Sequence, residues 1–342
     1  MVALLDHFSD KTTITLLLSF VSFCIAMLLT PVYTYFAYKY KWWKRPRTHD
    51  TNGQELKVIN ALRIKRTIPR MAGMVTIAAI AIVTLIFNLN RHQTWLPLAS
   101  LVGGGLLGLI DDIINVSGRG GKVAGLRAPL KLALITIIAA AGAWFFYYKL
   151  GYNSVRVPFA GDFTLGWWLV PLFMLVVVST GNAVNITDGV DGLAGGLLAT
   201  AYGAYGVIAL FQHNYGIAGF CMTVVGALLS YLWFNIAPAR FVMGDIGSFG
   251  LGTALGVVAM LTNTLLLLPI IGLVFVVEAG SSLIQILSKK FFHRKVFIAA
   301  PIHHHIEAKG WEKTKITMRF WLLGEMFGIA GLIIAFLGGY VK

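Results

Sequence analysis

The chain has 342 residues, of which 57% are hydrophobic and only 12% are charged, and its formal net charge is +14. This composition excludes an ordinary water-soluble domain, in which about a quarter of the residues are charged. It also gives no sign of a disulfide framework or a cysteine metal site, because Cys24 and Cys221 both lie inside apolar stretches.

Ten apolar segments follow one another along the chain, most of them near the roughly 20 residues that a helix needs to cross a membrane. The alternating patterns of membrane strands are absent from the sequence, so we predict an all-α polytopic membrane protein. The segments are 14–38, 71–89, 95–110, 128–148, 167–187, 193–211, 216–234, 246–262, 264–287 and 318–341. The first is too long for the apolar core of a cleavable signal peptide. We expect residues 1–342 to form a single integral membrane domain.

Lys and Arg are distributed unevenly between the connections. With the N-terminus outside, the inner connections carry 23 of the 28 Lys and Arg residues; they are 39–70, 111–131, 182–192, 235–246 and 288–319. Because cytoplasmic loops are enriched in Lys and Arg, this pattern predicts that both termini lie outside. The positive charge then belongs mainly to the inner face, where it would attract anionic lipid or steer an anionic substrate. We expect no nucleic-acid partner.

A pair of acids, Asp111 and Asp112, follows the segment 95–110 directly. Adjacent carboxylates can hold Mg²⁺, and because each raises the pKa of the other, one of them can act as a base. The alternative is a solvated helix end, although a helix C-terminus disfavours two anions. Four basic residues after the pair are candidates for phosphate contacts: Arg119, Lys122, Arg127 and Lys131.

The connection 182–192 is rich in Asn, Asp and Gly. One interpretation is a tight turn closed by side-chain hydrogen bonds. Unlike its neighbours, however, this inner connection has two acids and no Lys or Arg. Its carboxyl and amide groups would suit a nucleotide sugar or a metal bound through oxygen. The candidates are Asn185, Asp188, Gly189 and Asp191.

Asp245 stands where the segment 246–262 begins, shortly after Asn235. It could simply stabilise the N-terminus of a helix. The glycines on either side, Gly244 and Gly247, would also allow a phosphate or a metal complex to approach the backbone closely.

Three consecutive histidines, His303, His304 and His305, lie in the last inner connection. They can contact phosphate or transfer protons. Zinc is disfavoured because neighbouring histidines point in different directions and no Cys accompanies them. A surface cluster without a function is the alternative. Glu278 and Gln285 lie in the preceding apolar segment, where polar groups are costly and often functional.

Taken together, these motifs resemble the MraY family, the phospho-N-acetylmuramoyl-pentapeptide transferases of the polyprenyl-phosphate N-acetylhexosamine-1-phosphate transferase superfamily. The sharpest motif is PIHHHxExKGW at residues 301–311. The resemblance implies ten transmembrane helices, a homodimer and a Mg²⁺-dependent site on the cytoplasmic side of the bacterial plasma membrane. The implied reaction moves phospho-MurNAc-pentapeptide from UDP-MurNAc-pentapeptide to undecaprenyl phosphate. Its products are UMP and lipid I, an intermediate of peptidoglycan synthesis.

The resemblance also implies a role for each candidate. Asp245 would bind Mg²⁺, and Asp111 and Asp112 would handle the lipid phosphate. His303 and His304 would complete the catalytic set. The implied substrate-binding residues are Lys131, Asn185, Asp188, Gly189, Asp191, Asn235, Gln285 and His305.

Two departures from the family pattern stand out. The stretch Thr67–Gly73 replaces the family's usual GTPTMGG, with Ile68 and Arg70 at its two Thr positions. Asn115 stands where the family commonly has a Lys. These changes suggest altered substrate contacts.

Two alternative functions stay open at this point. A sister transferase would move GlcNAc-1-phosphate from UDP-GlcNAc to a polyprenyl phosphate. An ion-coupled transporter would use Glu278 and Glu325, which lie within apolar segments. Transporters keep such groups near the membrane midplane, often in repeated halves. Here the polar groups gather at one face and no repeat is visible, which disfavours a transporter.

Overall fold

The computed structural model of the protein describes residues 2–43, 68–118 and 125–341, with side chains from residue 10 onward. This part of the chain is almost entirely helical. Its α-helices are α1 (Val2–Lys39), α2 (Gly73–Phe87), α3 (Trp95–Ser117), α4 (Ala128–Trp144), α5 (Leu169–Thr187), α6 (Leu193–Phe211), α7 (Tyr215–Asn235), α8 (Gly244–Leu261), α9 (Leu268–Ile271), α10 (Leu273–Phe292), α11 (Ile302–Ala308) and α12 (Lys313–Leu337).

Nine of the ten predicted apolar segments coincide with a continuous helix, and the segment 264–287 is divided between α9 and α10. Within the described residues, eight helices are long and apolar enough to cross a membrane. The number is nine if the segments Leu265–Ile271 and Leu273–Phe292, which are bent by 81° relative to each other, count as one span. The remaining segment forms α2, which is apolar but has only 15 residues. The positions of the apolar helices are thus confirmed, while a total of ten spans stays a prediction.

Several polar residues lie inside helices rather than in the predicted connections. Helix α3 continues past residue 110 to Ser117, because it meets no helix breaker before Gly118, which has a φ of 69°. Asp111 and Asp112 therefore lie within the helix, and expecting them after it was wrong. Asn185 likewise belongs to the last turn of α5.

Two further elements were not predicted. The histidines occupy α11, a helix of 7 residues. Strands β1 (Ser154–Val157) and β2 (Gly161–Thr164) form an antiparallel hairpin in which Ser154 pairs with Thr164. The hairpin is the one sheet in the described part of the chain, and it qualifies the all-α prediction slightly.

Helix α8 lies at the centre of the bundle. Every residue in it is buried except Asp245 in its first turn. Helices α3 and α5 pack along it, and α2 and α6 also contact it. A Cβ atom on Gly108 of α3 would overlap the backbone of Asp245, and one on Gly104 would lie 2.9 Å from the carbonyl oxygen of Phe249. These small residues allow α3 and α8 to pack closely, which brings the acidic end of α3 against the start of α8.

The outer faces of the bundle differ from its centre. Large apolar side chains such as Leu28, Trp233 and Leu337 are exposed there. Exposed apolar surface on this scale is expected when helices contact lipid rather than water. The structure is therefore that of a multi-pass membrane protein.

Candidate active site

Three carboxylates and two cations meet where α3 crosses α8. We call this group, Asp111, Asp112, Asp245, Lys131 and Arg70, the acid cluster. Lys131 Nζ lies 3.1 Å from Asp111 Oδ2 and 2.6 Å from Asp245 Oδ2. Arg70 Nε lies 3.4 Å from Asp112 Oδ1, and its Nη2 lies 3.6 Å from Asp245 Oδ1. Each cation thus links Asp245 to one member of the adjacent acid pair.

Backbone N–H groups hold the adjacent acids in place. Asp111 Oδ1 accepts a hydrogen bond of 2.5 Å from the N–H of Leu126. Asp112 Oδ2 accepts one of 3.1 Å from the N–H of Ile246, in the first turn of α8. A helix N-terminus favours an anion because its first N–H groups are free. The N-cap residue of α8, Met243, makes no side-chain capping bond, and Asp112 from another helix takes over part of that role.

The turn 188–192 approaches the acid cluster from α5. The side chain of Asp188 lies near the backbone N–H of Gly244, at the start of α8. The pKa of Asp188 is raised to about 8, mainly by burial and also by Asp245 and Asp112, while Arg70 and the N–H of Gly244 act to lower it. Asp188 is therefore largely protonated at neutral pH in this arrangement.

A second group lies on the other side of the same turn. His303 is 1% exposed and its Nδ1 lies 2.8 Å from Oε2 of the fully buried Glu278. His303 Nε2 and Glu278 Oε1 are both buried without a hydrogen-bond partner. A Cβ atom on Gly189 would lie 2.5 Å from His303 Nε2. Because Glu278 fixes the imidazole at Nδ1, Nε2 is directed at the turn that also carries Asp188.

The other two histidines have different surroundings. His304 Nδ1 lies 3.0 Å from Glu307 Oε2, and the His304 side chain is 44% exposed. His305 Nδ1 accepts a hydrogen bond of 3.1 Å from the N–H of Ile298. One histidine is therefore buried against an acid, one is open to solvent, and one holds a loop.

Several predicted substrate-binding residues fasten loops around the site. Asn235 accepts a bond from the N–H of Gly192 at 2.9 Å and donates one to the carbonyl of Phe241 at 2.9 Å. Gln285 Oε1 accepts bonds of 3.0 Å from the N–H groups of Val296 and Phe297. Both side chains are buried, so their visible role is to position these loops. Their contacts with substrate stay predictions.

Asp191 and Asn185 also make contacts within the protein. Asp191 Oδ2 accepts a hydrogen bond of 3.2 Å from the N–H of Ala239. Asn185 Nδ2 donates one of 2.8 Å to Ser248 Oγ on α8. These bonds join the end of α5 and the turn after it to the loop and helix that carry Asp245.

Two residues of the site were not identified from the sequence. Arg70 was noted only as a departure from the family motif, and no sequence pattern indicates that it reaches two acids on other segments. The ring of Phe249 lies beneath Lys131, with Nζ 4.3 Å from the ring centroid. The predicted phosphate contacts Arg119 and Lys122, and Thr67 of the divergent stretch, lie outside the described residues.

The acid cluster has oxygen atoms suited to Mg²⁺. Among the described residues, no three His, Cys, Asp or Glu side chains are arranged to hold a metal ion by themselves. Mg²⁺ commonly binds one or two carboxylates together with water and substrate phosphate, so it does not need such a cage. Asp112 Oδ1 is buried without a hydrogen-bond partner. Asp245 Oδ1 lies beyond hydrogen-bond distance of Arg70 at 3.6 Å. This donor set fits a hard divalent cation.

The sequence is similar to those of known proteins. Residues 94–263 match the family described as Glycosyl transferase family 4. That region runs from α3 to the end of α8 and includes Asp111, Asp112, Lys131, Asp188 and Asp245.

Relatives named phospho-N-acetylmuramoyl-pentapeptide-transferase match almost the whole chain. The protein of that name from Chloroflexus aggregans is 36% identical, over 95% of this chain and 90% of its own length. Those from Geobacillus thermodenitrificans and Geobacillus kaustophilus are 38% and 39% identical, each over 92% of this chain and 95% of its own length. The similarity therefore extends beyond the acid cluster to the histidine segment.

Proposed function

Because the chain belongs to the phospho-N-acetylmuramoyl-pentapeptide-transferase family, we propose that it transfers phospho-MurNAc-pentapeptide from UDP-MurNAc-pentapeptide to undecaprenyl phosphate. The products are lipid I, which serves peptidoglycan synthesis, and UMP. The observation that carries this assignment is the identity of 36–39% to relatives of that name over more than nine-tenths of the chain. The acid cluster supplies charged groups suited to such a transfer.

The reaction exchanges one phosphorus–oxygen bond for another. The phosphorus that carries the sugar forms a bond to an oxygen of the lipid phosphate. Its bond to the bridging oxygen of UMP breaks, and that oxygen leaves with the electron pair. Both reactants are anions, so positioning and neutralisation of charge supply most of the acceleration.

The acid cluster accounts for the main requirements of this transfer. Asp245 and Asp112 would hold Mg²⁺, which offsets the charge of the diphosphate when it is bound. Lys131 provides a fixed cation beside the same carboxylates, where an ammonium group can contact a phosphate oxygen. Asp111, held by the N–H of Leu126, would position the lipid phosphate or accept its proton.

The turn 188–192 and α11 complete the proposed site. Asp188 and Gly189 lie between the acid cluster and His303. A nucleotide sugar spanning that turn would meet carboxyl and amide groups on one side and an imidazole on the other. His303 and His304 then contact phosphate or transfer protons, and Asn185, Asp191, Asn235, Gln285 and His305 shape the surrounding pocket.

We place the acid cluster on the cytoplasmic side of the plasma membrane, with ten spans, both termini outside and the chain forming a homodimer. The support for this orientation is the excess of Lys and Arg in the inner connections. A site at the membrane surface also suits undecaprenyl phosphate, because its lipid tail holds the phosphate near the headgroups. A cysteine introduced at His304 should react with a membrane-impermeant reagent only after the cells are opened, whereas labelling in intact cells would contradict the orientation.

The function is tested by UMP release from purified protein. UDP-MurNAc-pentapeptide, undecaprenyl phosphate and Mg²⁺ together are expected to give UMP and lipid I, and omission of any one should prevent it. UDP-GlcNAc in place of the muramyl donor tests the sister transferase. Transfer from UDP-GlcNAc alone would overturn the proposed donor, and full activity in EDTA would overturn the proposed metal.

A further inference from the structure

Arg70 is held firmly by its backbone. Its N–H donates a hydrogen bond of 2.7 Å to the carbonyl of Trp42, and its carbonyl accepts one of 2.6 Å from Tyr33 Oη. On either side of it, Val242 N–H donates to the carbonyl of Pro69 at 3.0 Å and Gly73 N–H donates to the carbonyl of Met243 at 2.9 Å. The segment 69–73 is therefore fastened along the loop that leads into α8, and Arg70 is not a loosely attached surface cation.

The side chain of Arg70 is directed into the acid cluster. It is only 24% exposed, and its guanidinium lies between Asp112 and Asp245. Because an arginine guanidinium keeps its proton at neutral pH, Arg70 is a charged group beside these two acids.

The contacts between Arg70 and the acids are electrostatic and incomplete. A well-formed arginine–carboxylate pair has two parallel hydrogen bonds. Here Arg70 Nε and Asp112 Oδ1 are buried 3.4 Å apart, and neither has a hydrogen-bond partner. The carboxylate oxygen of Asp112 nearest Arg70 is thus compensated in charge but accepts no hydrogen bond.

We propose that Arg70 is a resident counter-cation that competes with a divalent cation for Asp112 and Asp245. In the metal-free protein the guanidinium compensates these two buried acids, and a divalent cation must displace it or share the oxygens with it. The inference rests on the proposed function for the choice of Mg²⁺ as that cation. It concerns cation affinity and stability, both of which are measured without transfer.

Neutralising Arg70 should therefore move two measurements in opposite directions. Like charges a few ångströms apart repel strongly where water is partly excluded, so a neutral side chain should tighten divalent-cation binding about ten-fold or more. Without a divalent cation, the same change leaves two buried carboxylates with less compensation and should lower the unfolding temperature. A merely structural arginine would give the second effect without the first.

The experiment uses the full-length protein in detergent and three variants. Arg70→Gln removes the charge and Arg70→Lys keeps it. Arg240→Gln removes an exposed charge from the loop 236–243 and serves as the matched control. Binding of Mn²⁺ is measured from the electron paramagnetic resonance signal of the free ion, and thermal unfolding is followed in EDTA and in Mg²⁺. We expect tighter Mn²⁺ binding and a lower metal-free unfolding temperature for Arg70→Gln, and values close to the unchanged protein for the other two.

An unchanged or weaker affinity for Mn²⁺ in folded Arg70→Gln protein would overturn the inference. If that variant cannot be isolated folded, Arg70→Met is compared in the same way, because its apolar stem preserves the packing. Failure of the unchanged protein to release UMP would instead contradict the proposed function. The two failures are therefore distinguishable.

Discussion

The acid cluster and helix α11 bring their polar groups together in opposite ways. Asp245 is far in sequence from the adjacent acids Asp111 and Asp112, yet Lys131 links it to Asp111 through contacts of 3.1 and 2.6 Å. His303 and His304 are adjacent in sequence, yet one is 1% exposed and the other has a side chain that is 44% exposed. Closeness in sequence is therefore a poor guide to shared chemistry in this protein.

The difference follows from what holds each region. The acid cluster depends on close packing of α3 against α8, the most buried helix of the bundle. Helix α11 has 7 residues and depends on a few side-chain hydrogen bonds, including the one between His303 and Glu278. We therefore expect changes in the acid cluster to affect catalysis most strongly and changes around α11 to have graded effects.

The largest expected effect is that of Asp245→Ala. The change removes the carboxylate that both cations contact, and UMP release should fall by about a thousand-fold or more if this group holds the metal. Lys131 and Arg70 each keep one acid, so the protein should remain folded. Asp112→Asn should likewise abolish transfer. Asp162→Ala, on the exposed hairpin, is the control, and ordinary UMP release by Asp245→Ala would remove the basis for its role.

A packing change tests how the cluster is assembled. Gly108→Ala places a methyl group against the backbone of Asp245, so α3 and α8 must move apart. Overpacking of this kind costs about 1–3 kcal/mol, and we expect a lower unfolding temperature together with reduced UMP release. A Cβ atom on Gly203 meets nothing within 4 Å, which makes Gly203→Ala the matched control. Equal unfolding temperatures for the two variants would show that the close approach is not required.

The histidine region is tested by comparing its two acids. Glu278→Ala leaves the buried imidazole of His303 without its hydrogen-bond partner, which should destabilise its position by about 1–3 kcal/mol. We therefore expect UMP release to fall roughly 10- to 100-fold. Glu278→Gln can still hydrogen-bond to His303 and should recover part of the activity. Glu307→Ala removes the partially exposed acid beside His304 and should change activity by less than about three-fold. A larger loss from Glu307→Ala than from Glu278→Ala would contradict this ranking.

The smallest expected effect concerns the pH dependence of stability. The pKa of Asp188, about 8 in the folded protein, lies above its ordinary value of 3.8. The folded state keeps a proton that the unfolded chain releases from about pH 4 upward. The contribution of Asp188 is therefore most favourable below about pH 4 and declines until the pH passes about 8.

Asp188→Asn mimics the protonated acid and should remove this decline. We expect the unchanged protein to lose about 2 kcal/mol more stability than the variant between about pH 6 and pH 8. Thermal unfolding in EDTA measures the difference, because a bound divalent cation would change the charge around Asp188. Parallel pH profiles for the two proteins would indicate that Asp188 is ionised throughout this range.

Much of the fold could be predicted because it depends on composition. Each of the ten apolar segments is helical, although 264–287 is bent between α9 and α10, since a long apolar stretch in lipid must satisfy its backbone within itself. The position of Asp245 at the start of α8 was also confirmed.

Other features depended on neighbours that a sequence pattern does not identify. Asp111 and Asp112 were expected in the connection after their helix because the apolar segment ends at residue 110. The structure compensates them with Lys131, Arg70 and two backbone N–H groups. The pairing of Glu278 with His303 was missed for the same reason, since its partners are 25 residues apart.

The sequence by itself determined the membrane class, the positions of the apolar helices and the family, because hydrophobic length and short motifs are local properties of the chain. Only the tertiary structure decided which charges face one another, which histidine is buried and which cation lies between Asp112 and Asp245. The physical reason is that a charge inside an apolar bundle must be compensated by whichever groups the packing brings within a few ångströms. Those groups can come from anywhere along the chain.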